Sequence, residues 1–573
     1  MSRGLPKKEL VNNQQMQTRA LKIHQEDNIV VALDALQKDE QIVIDNIQIR
    51  LKDNIPPKHK FSIIDLNKDD KVIMYGVLVG RATQFILKGE IISTENIQHE
   101  TNGYELKRQK TDWHKPDVSK WQNKTFMGYR RTDGSVGTRN YWVVIPLVFC
   151  ENKNIDILQE AFMKALGYQP EQSSYEAMVR QLAKQYQSGK TEYERIFATE
   201  IPFVDTAAVI EMEEQYERIF VNVDGIKFLT HTMGCGGTRN DARGLCGLLA
   251  GYVTHSNVAG ATVLSLGCQN AQIALLEEEI HKRDPHFSKP LFLLEHQKIG
   301  NEKKLLQEAI RKTFAGLVIT NNIQREATPL NKLCIGLECG GSDGFSGISA
   351  NPAIGYTSDL LVALGGSVIL SEFPELCGVE QELSDRCVDN ATAQRFMQLI
   401  TLYNQRAIES GSGFYANPSP GNIKDGLITD AIKSAGAAKK GGTSPITDVL
   451  DYPEKVTKPG LNLLCTPGSD IESTTAEVGS GANIVLFTTG LGTPTGNPVS
   501  PVLKLSTSTT LYNKMKDIID IDTGDIIAGK ETIEQAGERV LDYIIKVAGG
   551  EIKVKADLQK HDDFIPWKRG ISL

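Results

Sequence analysis

Short apolar runs that break off into glycine- or proline-rich turns recur from Thr125 to the C-terminus, and they restrict the fold more than any other feature of the chain. Trp142–Val148, Ile226–Leu229 and Ala261–Leu266 read as strands. Tyr175–Ser188, Ala271–Lys282 and Glu302–Phe314 read as helices among them. Alternation at this spacing predicts helices layered on a mostly parallel sheet. From Thr328 the texture starts afresh, with Leu333–Leu337, Ser367–Leu370, Leu461–Cys465 and Asn483–Phe487 as strand candidates. The 50 glycines of the chain collect at these strand ends, where open α/β sheets place their ligand crevices.

At 573 residues the chain exceeds one compact core, so several domains are expected. Residues 1–20 are polar and read as a disordered tail without the apolar middle of a secretory signal. Residues 21–98 carry brief β runs (Ile29–Leu33, Gln41–Ile44, Val72–Gly76) separated by turn residues and predict a small β-rich domain. Residues 99–124 are polar and irregular, as a linker is. Two α/β domains follow, at 125–327 and 328–573, with a polar, helix-rich insertion between Tyr168 and Arg218.

A net charge of −8 argues against nucleic acid as partner, because phosphate binding needs a concentrated basic face. No apolar run reaches the roughly 20 residues that span a bilayer. Nine scattered cysteines suit reduced thiols, so a cytoplasmic enzyme with a small-molecule ligand is expected. A two-fold homodimer is the default assembly.

Five segments have side chains suited to chemistry. His24 and Asp27 lie close enough to ligate a metal, or to form a polar turn. Arg130, Arg131 and Arg139 surround a glycine-rich turn, and guanidinium forks match carboxylates. The string from Thr230 to Gly237 sets His231 and Cys235 after a strand. With Cys150, Cys268 and Cys339, Cys235 makes four strand-end thiols that could hold iron or an iron–sulfur cluster. The lack of compact CxxC spacing favours small buried residues instead. Glu372 and Glu375 follow the strand Ser367–Leu370, where two carboxylates suit a hard divalent cation or proton transfer. The C-terminal turns 417–422, 466–475 and 487–498, with Lys504 beyond, offer hydroxyls and backbone amides to a polyhydroxylated ligand. A GxGxxG between strand and helix and a Walker A sequence are both absent.

Taken together, Asp27-Asn28, Lys71–Gly76, Tyr129–Asn140, His231–Cys235, Glu338–Gly355, Asn417–Asn422 and Phe487–Pro498 through Lys504 resemble the altronate and galactarate dehydratases. These are sugar-acid hydro-lyases with an N-terminal SAF domain. The resemblance runs from Ile23 to Ile571, and Arg130-Arg131, Glu338 and Ser371–Glu375 look closer to the altronate branch. The tail, the insertion, the stretch Glu472–Thr475 and Lys58, where a glycine usually precedes His59-Lys60, depart from the pattern.

The resemblance implies a β-clip SAF domain followed by two Rossmann-like α/β layers. It also implies dehydration of altronate to 2-keto-3-deoxygluconate in hexuronate catabolism, with ferrous iron or another divalent metal such as manganese. On that footing His24, Asp27 and Glu372 are expected to hold the metal. His231 and Lys504 are the acid/base candidates, with Glu375 in reserve. Arg130, Arg131 and Arg139 would bind the carboxylate, and Ser342, Asp343, Asn417 and Asn422 the hydroxyls. A dehydratase for galactarate or a sulfonated lactate, and a non-catalytic sugar-acid-binding protein, are the competing readings.

Overall fold

A computed structural model describes residues 19–101, 103–105, 113–168, 174–188 and 218–573. Most of the expected tail, part of the linker and most of the 168–218 insertion lie outside the described residues. The chain divides into two compact units: residues up to Thr101 together with Pro420–Ile432, and Asn102–Ser419 together with Lys433–Leu573.

The first unit is built from short antiparallel strands. Ala20–Leu21, Ile29–Ala32, Lys60–Ser62 and Ile91–Ile92 form one sheet, and Lys71–Met74, Val77–Ala82 and Ile97–Gln98 another. Two tight hairpins set register, one joining Lys71–Met74 to Val77–Ala82 and one joining a separate two-stranded pair, Gln41–Ile44 and Ile47–Arg50. Asp45-Asn46 (φ 48 and 63) and Tyr75-Gly76 (φ 59 and 77) both place two successive residues in the left-handed region, as the turn matching the twist of a hairpin requires. Val30, Ala32, Ile42, Ile44, Ile49 and Phe61 alternate inward to make its core. Lys58, the departure from the usual glycine, takes φ 73, and its ammonium lies 3.3 Å from Asp425 of the returning segment. Lys60 is fully buried, with its ammonium on the carbonyls of Lys58 (3.1 Å) and Gly426 (2.5 Å). The sequence reading gives Pro420–Ile432 to the C-terminal domain, but its contacts lie with the β-rich unit.

The second unit holds both α/β layers, which the sequence reading separates. A four-stranded sheet runs in the order Gly225–Phe228, Tyr141–Pro146, Val258–Ser265, Leu291–Glu295, all parallel. Trp142 anchors its core beside Val144, Leu158, Phe162 and Leu264. Gly260 and Gly316 leave the room for that indole, since a Cβ on either would run into the ring. Burial of such large side chains stabilises by roughly 1.5–3 kcal/mol each.

The larger sheet has seven parallel strands in the order Ile446–Leu450, Gly460–Leu464, Ser367–Leu370, Cys334–Cys339, Ile484–Thr489, Val502–Ser506, Ile521–Asp522. The chain works outward from Cys334–Cys339 to one side, then crosses to Ile484–Thr489 on the other. That reversal makes a crevice at the carboxyl ends of these central strands. The helix Ile533–Gly549 starts at a Thr532/Gln535 capping box and stops at Gly550 (φ 80). Its buried face, Ala536, Val540, Leu541, Ile544 and Val547, repeats at helical spacing. Gly537 in the same stripe lets it close on Ala350–Ala363, because a Cβ there would stand 2.9 Å from the Ala353 carbonyl. Among the described residues no helix is long and apolar enough to cross a membrane.

Candidate active site and metal centre

Where the seven-stranded sheet reverses direction, five acids and two lysines gather. Glu338 and Cys339 end the strand Cys334–Cys339, and Glu372 follows Ser367–Leu370 at φ 61. This left-handed break turns the chain sharply and puts Glu372 and Glu375 on one short turn, Glu375 donating its amide to the Glu372 carbonyl at 2.7 Å. Glu477 comes from the helix Asp470–Ser480. Gly336 admits it, since a Cβ there would collide with the Glu477 carboxylate. The Cys339 sulfur lies 3.2 Å from Glu375 Oε2 and 3.6 Å from Glu372 Oε2. Lys440 Nζ reaches that sulfur at 2.9 Å and pairs with Glu372. Lys433 Nζ bonds Glu375 Oε1 at 2.6 Å and Asn417 Oδ1 at 2.6 Å.

Burial governs the electrostatics. It drives Glu338 well above the usual carboxylate range, reinforced by Glu372 and Glu477 nearby. It pushes Glu477 up to about 8 and Asp470 up to about 7, the latter with help from Glu372 and Glu375. Burial would also raise Glu375, but the Lys433 and Lys440 ammoniums override it and hold that carboxyl below its ordinary value. Burial and the two neighbouring carboxylates push the Cys339 thiol up. The site therefore stores protons on some carboxyls while one beside them stays ionised, a separation useful for acid–base chemistry.

Three oxygens in this cluster, Glu338 Oε1, Glu372 Oε1 and Glu477 Oε2, are buried without a hydrogen-bond partner. Orphaned buried acceptors call for a proton or a cation. Ligand atoms of Cys339, Glu372 and Glu375 all lie within 4.8 Å of one another, in the sole such group among the described residues. One thiol and two carboxylates suit ferrous iron or another first-row divalent ion, so these residues fit a metal.

The structure thus brings Glu372, Glu375, Cys339 and Asn417 together. Each of the remaining expected residues has its own surroundings within its own unit. Asp27, in the β-rich unit, accepts backbone amides on both oxygens, from His24 and Gly76 at 2.9 Å each. His24 is exposed beside it, and Asn422 is buried in the same unit. His231 is buried with both ring nitrogens engaged, Nε2 on the Pro146 carbonyl (2.8 Å) and Nδ1 accepting from the Met233 amide (3.2 Å). Burial lowers its pKa to about 4, which makes it a neutral brace between loops where an open acid/base was expected.

Lys504 is buried in Val502–Ser506 and donates to the Thr495 carbonyl; burial pulls its ammonium down to about 8. Arg131 spends its donors on the Ser256 and Arg139 carbonyls and Asn140 (2.7, 3.1 and 2.9 Å). Arg139 bonds the Thr138 and Val547 carbonyls at 2.9 Å and Asp557 at 3.3 Å, and half-exposed Arg130 pairs with Glu326. Of the expected carboxylate clamp, Arg131 and Arg139 brace backbone carbonyls and Arg130 is paired with an acidic side chain. Asp343 accepts from Phe345, Ser346 and Thr507 at 3.1 Å each, with Ser342 buried next to it. Cys150, Cys235 and Cys268 are exposed, unlike Cys339.

Sequence reasoning missed Lys433, Lys440, Glu477 and Asp470 as site residues. Lys440 sits in Ala-Ala-Lys-Lys-Gly-Gly and Glu477 in Thr-Thr-Ala-Glu-Val-Gly-Ser. Charge inside a run of small residues, single at Glu477 and paired at Lys439-Lys440, was the available signal, because such runs are usually buried.

Family models match the chain almost end to end. The altronate/galactarate dehydratase SAF domain covers residues 18–100. The D-galactarate dehydratase/altronate hydrolase second domain covers 128–321, and the D-galactarate/altronate dehydratase C-terminal domain covers 330–572. Among curated proteins, altronate dehydratase of Bacillus subtilis is 32% identical over 96% of this chain and 99% of its own length. Altronate dehydratase of Escherichia coli is 32% identical with the same coverage. Galactarate dehydratase (L-threo-forming) of Escherichia coli is 30% identical over 94% of each chain. With this similarity over nearly its whole length, and the SAF domain in its N-terminal place, the chain belongs to the altronate/galactarate dehydratase family of hydro-lyases.

Proposed function

We propose that this hydro-lyase converts D-altronate to 2-keto-3-deoxy-D-gluconate, with the buried carboxyl–thiol–lysine cluster as its catalytic centre. The observation that carries the substrate is the match over 96% of the chain to altronate dehydratases from two distant bacteria. The buried cluster at the sheet's reversal supports the chemistry.

Loss of water from an aldonate removes the proton on C2 and the hydroxyl on C3. Charge builds up on the carboxylate as an enediolate, and the leaving oxygen must be protonated. Cys339, Glu372 and Glu375 would hold a divalent ion, Glu372 being common to this set and the one expected from the sequence. When bound, that ion supplies Lewis-acid stabilisation of the developing negative charge.

The remaining work falls to this chain's own groups. Lys433 and Lys440 hold Glu375 below its ordinary range, Lys440 pairs with Glu372, and both add positive charge where the substrate carboxylate would sit. Asp470 is pushed up to about 7 by burial, Glu372 and Glu375, which suits it to proton exchange near neutral pH. Its ionised form takes the C2 proton, and the same carboxyl then hands that proton to the departing C3 oxygen. Thr466 and Ser473, hydrogen-bonded to each other at 2.9 Å, fix the loop that precedes Asp470.

Two measurements test this reading. A panel of aldonates and aldarates, assayed anaerobically with ferrous iron for 2-keto-acid, is expected to give the highest kcat/KM with altronate. Faster turnover of galactarate would reassign the substrate. Asp470→Asn is expected to lower kcat by about 10²–10⁴ at unchanged metal content, with partial rescue in Asp470→Glu. Near-normal kcat in Asp470→Asn would remove that residue from the mechanism.

A further inference from the structure

The four-stranded sheet carries a second set of metal-ligating groups that the dehydration chemistry does not use. Each of its four strands runs out at its carboxyl end into a loop with one such residue. Cys150 follows Tyr141–Pro146, Cys235 follows Gly225–Phe228, Cys268 follows Val258–Ser265 and His296 follows Leu291–Glu295.

Backbone bonds tie the loops into one rim. The Phe149 amide donates to the Met233 carbonyl at 3.1 Å, and the Asn270 and Ala271 amides donate to Gly234 at 3.0 and 3.1 Å. Gln297 bridges the last two loops, its amide on the Leu266 carbonyl at 2.9 Å and its side chain on the Cys268 sulfur at 3.3 Å. Two glycines permit the approach. Gly234 (φ 104) lies against the Leu147 carbonyl, and a Cβ on Gly267 (φ 128) would stand 2.6 Å from Gln297 Oε1.

The histidine is held as metal-binding histidines are. Nδ1 lies 2.9 Å from Glu151 Oε1, and Glu151 is itself buried and fixed by Asn154 at 2.7 Å. A carboxylate on one ring nitrogen sets the tautomer and leaves the other as a ligand, and no described residue bonds Nε2. The three thiols are exposed and free. They do not form a set with ligand atoms mutually within 4.8 Å. Two sulfurs on one zinc ion, each at about 2.3 Å, stand at most about 4.6 Å apart. A polynuclear cluster spreads its ligands over several metal atoms and accepts wider spacing.

We propose that Cys150, Cys235 and Cys268, with His296 as fourth ligand, bind an iron–sulfur cluster at the carboxyl-end rim of the four-stranded sheet. Assembly joins supplied iron and sulfide to the three thiolates. Each thiol releases its proton to solvent; with ferric iron supplied, the added thiol reductant gives the two electrons per cluster that leave two of the four irons ferrous, and the protein donates none. Glu151 is a positioning residue, acting through His296.

The test is anaerobic reconstitution of the full chain with iron, sulfide and a thiol reductant, followed by desalting, metal and sulfide analysis, visible absorption and electron paramagnetic resonance. About four irons and four sulfides per chain are expected, with thiol labelling of the three cysteines blocked by the cluster. Cys150→Ser, Cys235→Ser and Cys268→Ser should each lose the visible band, while Cys334→Ser keeps it. His296→Ala should change the resonance spectrum of the cluster after one-electron reduction with dithionite, and Glu151→Gln should release iron to a chelator about tenfold faster. Stoichiometric zinc without sulfide would overturn the proposal, as would unprotected thiols in the reconstituted wild type. These readouts are independent of sugar-acid turnover, so the two proposals fail separately.

Discussion

The two parallel sheets of the second unit share a plan and differ in what their strand ends meet. Both break their strands into glycine-rich turns at the carboxyl edge. In the seven-stranded sheet Glu338 and Glu372 at those turns, and Glu477 from the helix Asp470–Ser480, are fully buried. In the four-stranded sheet Cys150, Cys235 and Cys268 face solvent. Desolvation turns the first set into a store of protons and paired charge, because a buried carboxyl must be neutralised or matched. The second set stays water-exposed. Topology chooses the place for chemistry in both sheets, and burial chooses its kind.

Four experiments would break or sharpen that contrast. The largest effect is expected in Lys440→Met, which leaves Glu372 buried without its partner. Removing one member of a buried pair typically costs about 3–5 kcal/mol, read from the denaturant midpoint. A loss below about 1 kcal/mol would mean the cluster is wetter than its burial indicates.

Next comes pH. Burial holds His231 at about 4 against 6.5 for the free side chain, so the native state binds fewer protons between these values. Its share of stability is full above pH 6.5 and is lost as pH falls towards 4. By pH 5 the loss is about 2 kcal/mol. The stability difference between wild type and His231→Asn, followed over this range, isolates it from the carboxyls. Turnover per folded molecule should change little in the variant; abolished turnover would return His231 to the acid/base role expected from the sequence.

Lys504 gives a slope of the same sign in a more alkaline window. Its ammonium is pulled down to about 8 by burial, below its unfolded value, so the unfolded chain holds more protons above pH 8. Stability should rise by about 1 kcal/mol from pH 8 to 9, a gain that Lys504→Met removes. The smallest effect belongs to Arg130→Ala. An exposed pair with Glu326 is worth at most about 1 kcal/mol, and KM should stay within about twofold. A large rise in KM would restore Arg130 as a substrate ligand.

Much of the fold was legible because periodicity and turn residues are local signals. The strand candidates 142–148, 226–229, 367–370 and 461–465 lie within a residue or two of the observed elements. Strands such as Val502–Ser506 and Ile446–Leu450 escaped notice, since a buried lysine and an aspartate interrupt their apolar runs. The site was less legible for a different reason. Glu372 and Glu375 announce themselves as acids after a strand, whereas Lys440 and Glu477 reach the same cluster from distant segments. Arg131 and Arg139 are hard to read because a guanidinium that braces carbonyls looks, in sequence, like one that awaits a carboxylate.

The return of Pro420–Ile432 to the β-rich unit has a practical consequence for anyone dissecting this enzyme. A fragment ending near Thr101 would strand the Lys60 ammonium in an apolar interior without the Gly426 carbonyl, and no single cut in the gene frees a self-sufficient piece. Exchanging N-terminal modules between relatives would mean grafting two stretches of polypeptide at once, the leading one and its clasp from more than three hundred positions downstream.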